Sequence, residues 1–327
     1  MADEFPLREH LDKLVEDLHQ LVPDALEQFD EESIHKARVT TRRLKAAVEL
    51  LDSVLDSDHA KPFAKVGRKL RRRLGPMRDM DVMIGHLDDI PQASKFAPAV
   101  DYLKQQLQIK REKARSESTQ KMSPIKVVGR LASWSALRRD VTEAGDRTES
   151  LIEQSVHRQV REFQAQSQGL GHGTDPHALR IAGKSLRYTL ELAKASGHQL
   201  PSDVLKTFKR MQDMLGTWHD FVVLASRAMK VSVKNDLPLH DPALQRQVLE
   251  LTDYCMRRAQ RQLDLFQQTW AKKGPDLTQA IESVFAKMPV PIEQKKDPDP
   301  SGSDELPAAE PPVQPLPDVS TTPPTAA

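Results

Sequence analysis

His35-Lys36-Ala37-Arg38-Val39-Thr40-Thr41-Arg42-Arg43-Leu44-Lys45 returns 142 residues further on as His177-Ala178-Leu179-Arg180-Ile181-Ala182-Gly183-Lys184-Ser185-Leu186-Arg187. Glu49-Leu50 follows the first copy and Glu191-Leu192 the second. Each copy is trailed by a further echo, Leu74-Gly75-Pro76-Met77-Arg78-Asp79 matching Leu215-Gly216-Thr217-Trp218-His219-Asp220 at an offset of 141. Such self-similarity marks an internal duplication. Repeat one covers about 5–140 and repeat two about 145–288, each too small to bury all its apolar faces comfortably. The two are expected to pack about a pseudo-twofold axis.

On a helix each residue advances by roughly 100°, which places Arg38, Arg42 and Lys45 within roughly 80° of His35. Ile34, Ala37, Thr41, Leu44, Val48, Leu51 and Leu55 fill the adjoining sector, so the basic stripe borders the buried face. His177, Arg180, Lys184 and Arg187 repeat the arrangement. Most charge runs are solvated faces. This one has no interleaved acids, lies beside the core and keeps its spacing through the duplication. Only Glu49 and Glu191, at the far end, are placed to pair with Lys45 and Arg187 at i,i+4. Two such stripes, with Arg43 beside the first, are expected to line a shared positive groove or channel. A second cluster follows on the next helix: Lys65, Arg68 and Lys69, matched by Lys206, Lys209 and Arg210. The first copy adds Arg72, within three consecutive arginines that cannot all face one ligand, and Arg78 at the following turn.

Beyond the repeat, straight-chain residues dominate and aromatics supply only 5%, which favours an all-α fold. No run alternates apolar and polar residues with β-branched enrichment, so no strand is expected. Leu7, Leu11, Leu14, Val15 and Leu18 share one face of a first helix, and a second runs from about Ser33 to Leu55. Further helices are expected over about 60–74, 76–88, 94–120, 124–140, 148–167, 175–196, 202–214, 217–230, 242–271 and 276–287. Gln168 to Pro176 is loop, broken by three glycines and a proline. Residues 1–288 thus form the helical body, and 289–327, rich in Pro, Ser, Thr and Asp, are expected to be disordered. The formal charge of +1 hides a tail at −5 and a body at +6, so placement of charge matters more than its sum. Cys255 is alone, the N-terminus has no signal-peptide pattern, and no run reaches the ~18 apolar residues of a membrane span. A cytoplasmic protein with no membrane partner is expected.

Chemistry beyond binding finds little support. No Walker-type loop occurs, since the glycines at 169–173 are not followed by Lys-Ser or Lys-Thr. Asp79 and Asp81 form an Asp-x-Asp, but only Asp79 recurs, as Asp220, while Asp81 aligns with Val222. Asp79 is expected to orient an arginine or cap a helix. His172 and His177 lack a Cys or carboxylate cluster that would complete a zinc site. Phosphoryl hydrolysis needs a metal clamp and a positioned water, and basic stripes supply neither. No catalytic residue, metal or cofactor is expected, and the chain is not read as an enzyme.

The run from His35 to Lys45, the Leu-Gly-x-x-Arg-Asp-x-Asp-Val run from Leu74 to Val82, and the run from His177 to Tyr188 together resemble the signature of the CHAD family, the conserved histidine α-helical domain. The resemblance extends over about 5–288 and has both halves in order. It implies paired helical bundles around a basic central channel that binds inorganic polyphosphate, in some members with targeting to polyphosphate granules. By position it assigns His35, Arg38, Arg42, Lys45, His177, Arg180, Lys184 and Arg187 to the ligand. Lys45 and Ser185 depart from it, standing where arginine is usual, and lysine lacks the bidentate fork that guanidinium offers phosphate. The Glu-x-Glu-x-Lys run of the triphosphate-hydrolysing domain fused to some members is absent. Two rival classes are a helical nucleic-acid-binding protein and a scaffold. The first is disfavoured by the lack of aromatics among the stripes and of a known docking motif.

Overall fold

Two aspartates open the helices that carry the repeated stretch. Asp30 accepts a hydrogen bond from the Ser33 amide at 2.8 Å, and Asp175 accepts one from the His177 amide at 2.9 Å, each satisfying an amide that the first turn leaves free. The computed structural model describes residues 6–90, 95–170, 175–233 and 237–285. The tail expected to be disordered, and His172 with its neighbouring glycines, lie outside the described residues.

The order is α1 (Pro6–Glu27), α2 (Glu31–Leu50), α3 (Ser57–Asp88), α4 (Ala97–Lys121), α5 (Pro124–Leu131), α6 (Trp134–Ala144), α7 (Arg147–Gln168), α8 (Pro176–Ala195), α9 (Ser202–Ser232), α10 (Leu237–His240) and α11 (Pro242–Val284). The described residues contain no strand, and the fold is all-α. Helices at matching places in the two sequence repeats are alike in length: α1 and α7 have 22 residues each, α2 and α8 have 20, and α3 and α9 have 32 and 31. In the first repeat α1 packs on α2 and α3 on α4, and in the second α7 packs on α8 and α9 on α11. Across the repeats α2 meets α8 and α3 meets α9.

Three expected breaks are bridged. Helices foreseen as separate on either side of Gly75-Pro76, Gly216 and Gly274-Pro275 run through as α3, α9 and α11. Tertiary burial overrides local propensity at these points: around the first, Leu70, Leu74 and Met77 are wholly buried, and around the third, Phe266 and Ile281 are. The expected helix over 124–140 instead divides into α5 and α6.

Continuity through these points matters because the buried apolar side chains form two cores, each drawing on both repeats. The first takes α1, α2, α5 to α8, the N-terminal halves of α3 and α9, and the C-terminal part of α11. The second takes the C-terminal halves of α3 and α9, α4, and the N-terminal part of α11. The three long helices therefore span both cores. The handover falls between Met77 and Met80 on α3 and between Leu215 and Phe221 on α9, where the Arg78-Asp79 and His219-Asp220 pairs stand.

Candidate anion-binding site

The stripes of α2 and α8 lie at this waist. Along α2, Ile34, Ala37, Thr41 and Leu44 are buried while His35, Arg38, Arg42, Arg43 and Lys45 are half-buried, as the helical spacing predicts. Along α8, Leu179, Ala182, Gly183 and Leu186 are buried, with His177, Arg180, Lys184 and Arg187 half-buried.

The cations of the two stripes act on one another. Lys184 is pushed down to about 6, first by burial and then by Arg180, Arg42 and Arg38, with Asp220 opposing. Arg180 is lowered by burial, and it too lies in the field of Arg42, Asp220 and Asp79. Its Nε is buried with no hydrogen-bond partner among the described residues. Arg38 and Arg42 of repeat one and Arg180 and Lys184 of repeat two thus share one partly desolvated volume, where like charges cost most.

Two carboxylates stand inside it. Asp79 is raised by burial, against the pull of Arg38 and Arg42 and with Asp220 adding to the rise. Burial alone would also raise Asp220, but His86, Arg180 and His219 outweigh it and the carboxyl falls below its ordinary range. His86 Nε2 stands 3.6 Å from Asp220, an ion-pair separation and too long for a hydrogen bond. The repeated aspartate was visible in the sequence, but not its place among the stripes. Asp79 caps no helix end; it lies inside α3 beside the arginines. Asp81 is turned elsewhere, onto Arg111, whose Nη2 also donates to the Phe29 carbonyl at 2.9 Å. Asp79 and Asp81 are thus engaged by different partners.

His35 stands at the start of the second turn of α2 and His177 in the first turn of α8. His35 is lowered by burial and then by Arg78, and His177 by burial and then by Arg180. The His177 and His219 rings approach to 5.1 Å between centroids, and burial, followed by Arg180, takes His219 down to about 4. Arg78 beside His35 and His219 beside His177 are repeat equivalents.

At the far end of the stripes Lys45 pairs with Glu49 at 3.5 Å and Arg187 with Glu191 at 2.9 Å, the expected i,i+4 partners. Glu191 also takes Arg43 of α2 at 2.8 Å, a bridge between the repeats that one-helix geometry could not reveal. His10 of α1 lies in the same neighbourhood, lowered by burial and then by Arg43. Arg78 carries an ion pair with Glu31 at 2.8 Å.

The second cluster stands apart. Lys65, Arg68, Arg72, Lys206, Lys209 and Arg210 are exposed and Lys69 is half-buried. At 1.5 Å per residue, Lys65 lies about 20 Å along α3 from Asp79 and Arg72 about 10 Å. The charges that most perturb Asp79, Arg180 and Lys184 come from the stripes and from Asp220, not from this cluster. Of the three consecutive arginines, Arg71 is buried: its Nη1 donates to the Thr41 carbonyl at 2.8 Å, and its own carbonyl accepts from Arg38 Nη1 at 2.7 Å.

The sequence matches the CHAD domain over residues 9–228, and the chain belongs to the CHAD domain family. Among solved structures it is similar to the crystal structure of the CHAD domain from the plant Ricinus communis, with 20% identity, 87% of this chain and 91% of that one covered, and a TM-score of 0.54. It is also similar to PptA from Streptomyces chartreusis, with 17% identity, 81% and 98% covered, and a TM-score of 0.54. At such identities the likeness shows the fold alone. No curated protein matches the sequence.

Proposed function

We propose that the protein binds inorganic polyphosphate in the waist between α2 and α8, and that it is a binding protein and not an enzyme. The observation that carries this is the crowding of Arg38, Arg42, Arg180 and Lys184 into one partly desolvated volume. Burying cations that repel one another is unfavourable in the absence of ligand, and a polyanion that bridges them would relieve it. Arginine and lysine are the side chains that recognise phosphate oxygens. The exposed cluster on α3 and α9 would extend the path for a long chain, with Lys65, Arg68, Lys69, Arg72, Lys206, Lys209 and Arg210 steering and the stripes holding. Storage, sensing or localisation at polyphosphate granules in the cytoplasm would all use such a site.

Titrating a length series of polyphosphates against the protein at several salt concentrations tests this. If about six to eight phosphates are neutralised, log affinity should fall with log salt at a slope of about −4 to −6, taking single-stranded nucleic acid as the analogue of a flexible polyanion. A slope shallower than about −2 contradicts an extended polyanion site. Displacement of polyphosphate by single-stranded nucleic acid at equal phosphate concentration would favour a nucleic-acid-binding protein, and absence of any anion binding a scaffold.

A further inference from the structure

Beyond the C-terminal end of α8, away from the stripes, a histidine is held with unusual definition. Gly197 takes φ +100°, a left-handed conformation, and reverses the chain after Ser196. The His198 amide then donates to the Ala193 carbonyl at 3.0 Å and the Gly197 amide to that of Lys194 at 3.1 Å, the paired bonds of a Schellman cap. The His198 ring stacks on Phe285 at 4.8 Å between centroids, and its Nδ1 lies 3.1 Å from the same Ala193 carbonyl. A carbonyl can only accept, so Nδ1 carries a proton, and Nε2 is the ring atom left to take a proton or a cation.

That atom stands beside acid. Nε2 stands 3.7 Å from Glu153 Oε1, beyond hydrogen-bond reach, with the two side chains only 10% and 18% exposed. Glu149, one turn earlier on the same face of α7, brings a second carboxylate, and one donor atom from each of the three residues lies within 4.8 Å of the others. His157, one turn beyond Glu153, is engaged by the Phe285 carbonyl at 3.2 Å. Beside the two carboxylates Nε2 calls for a positive centre, which a second ring proton or a bound cation supplies. Donors about 2.0–2.2 Å from a tetrahedral cation are about 3.3 Å apart, so the His198–Glu153 spacing needs only a few tenths of an ångström of closure.

We propose that Glu149, Glu153 and His198 form a site for a divalent transition-metal cation, which clamps α7 to the turn after α8. One imidazole and two carboxylates suit Zn2+ and its first-row neighbours, whereas Mg2+ and Ca2+ prefer oxygen ligands alone. The Nδ1 bond to the Ala193 carbonyl is the outer contact that fixes a metal-binding histidine. Glu149 is exposed, so the remaining coordination positions face water. The inference is independent of the polyphosphate reading, and either can fail alone.

The test is titration of Zn2+ into the full chain, in a non-coordinating buffer without phosphate, followed by calorimetry and thermal melting. One Zn2+ per chain is expected, with Tm rising by about 5 °C at a hundredfold excess over Kd. His198→Gln and Glu153→Gln should each weaken binding at least tenfold. Glu149→Gln, which alters an exposed side chain and leaves the core intact, should do the same. The absence of a Zn2+-dependent Tm shift in the parent chain overturns the proposal. So does stoichiometric binding undiminished in Glu149→Gln and His198→Gln, or an equal shift with Mg2+.

Discussion

The two copies of the stripe meet the same neighbour with different residues. In the first, Arg71 of α3 is buried against α2 and donates to the Thr41 carbonyl, while Arg38 donates back to the Arg71 carbonyl. In the second, the matching positions hold Gln212 and Gly183, and a Cβ on Gly183 would come within 1.8 Å of Gln212 Nε2 and 2.9 Å of the Phe163 ring. Glycine there makes room for a side chain that Thr41 instead hydrogen-bonds. Arg180, the counterpart of Arg38, has a buried Nε without a partner, and Lys184, the counterpart of Arg42, is pushed down to about 6. Duplication has kept the spacing of the cations and let their anchoring diverge. The first copy is a buttress; the second holds the cations whose charge an arriving anion can change.

The largest effect that separates the copies is on binding. Arg180→Glu should weaken polyphosphate binding by at least about a hundredfold, reversing a charge inside the site, with a stability loss that comes from facing Asp220 and Asp79 and not from a hydrogen bond lost at Nε, and that is smaller than for Arg38→Glu. Arg38→Glu should lose binding and about 2 kcal/mol of stability, since the bond to the Arg71 carbonyl goes with it. Denaturant unfolding of both variants checks this. Equal stability losses would erase the distinction between the two copies.

Packing gives the next contrast. Gly183→Ala should cost about 2–3 kcal/mol, because buried Gln212 and Phe163 have little room to yield, and Gln212→Ala in the same chain should restore part of it. Gly216, the glycine of the repeated Leu-Gly pair in α9, has nothing within 4 Å of its would-be Cβ. Gly216→Ala should therefore stabilise the helix by about 0.5–1 kcal/mol. A loss at Gly216 comparable to that at Gly183 would contradict this packing.

Much of this was legible in the sequence. The stripe at the edge of the buried face follows from the positions of Ile34, Ala37, Thr41 and Leu44, and the pairing of Lys45 with Glu49 from helical spacing alone. What spacing cannot supply is a second helix. The Arg43–Glu191 bridge, the lodging of Asp79 and Asp220 among the stripes and the burial of Arg71 all depend on how α2, α3, α8 and α9 meet. Gly75-Pro76 carries the local marks of a helix boundary, yet burial of Leu70, Leu74 and Met77 keeps α3 whole, and only a continuous α3 can serve both cores. The second basic cluster of α3 and α9 is legible as a cluster in the sequence, but its exposure is not, since that depends on which faces of α3 and α9 the neighbouring helices cover.

Smaller effects sharpen the picture of the second copy. Lys184→Met should raise stability by about 1–2 kcal/mol at pH 7, since folding then no longer strips a proton from a desolvated amine among like charges, while weakening polyphosphate binding about tenfold. The sign with pH follows from the lowered value. Between about 6 and 10.5 the unfolded chain holds a proton on Lys184 that the folded chain lacks, so this residue makes stability rise with pH across that window. In Lys184→Met that contribution should vanish, which unfolding measured at pH 6, 7 and 9 would reveal. Smallest is Glu191→Gln: it frees Arg43 and Arg187 from a half-exposed carboxylate, should cost under about 1 kcal/mol, and should tighten polyphosphate two- to threefold.

The most direct test concerns protons, because the account holds that Lys184, His35 and His177 are kept from full charge until an anion arrives. All three are lowered in the free protein, and phosphate beside them favours their charged forms, so binding should take up protons and affinity should rise as pH falls from about 8 to about 6. Polyphosphate binding measured by calorimetry at pH 7, in buffers of different ionisation heat, gives the number taken up. A net uptake of about one proton or more per chain is expected, clearly reduced in Lys184→Met. Binding without proton uptake, or with an uptake unchanged in Lys184→Met, would contradict it.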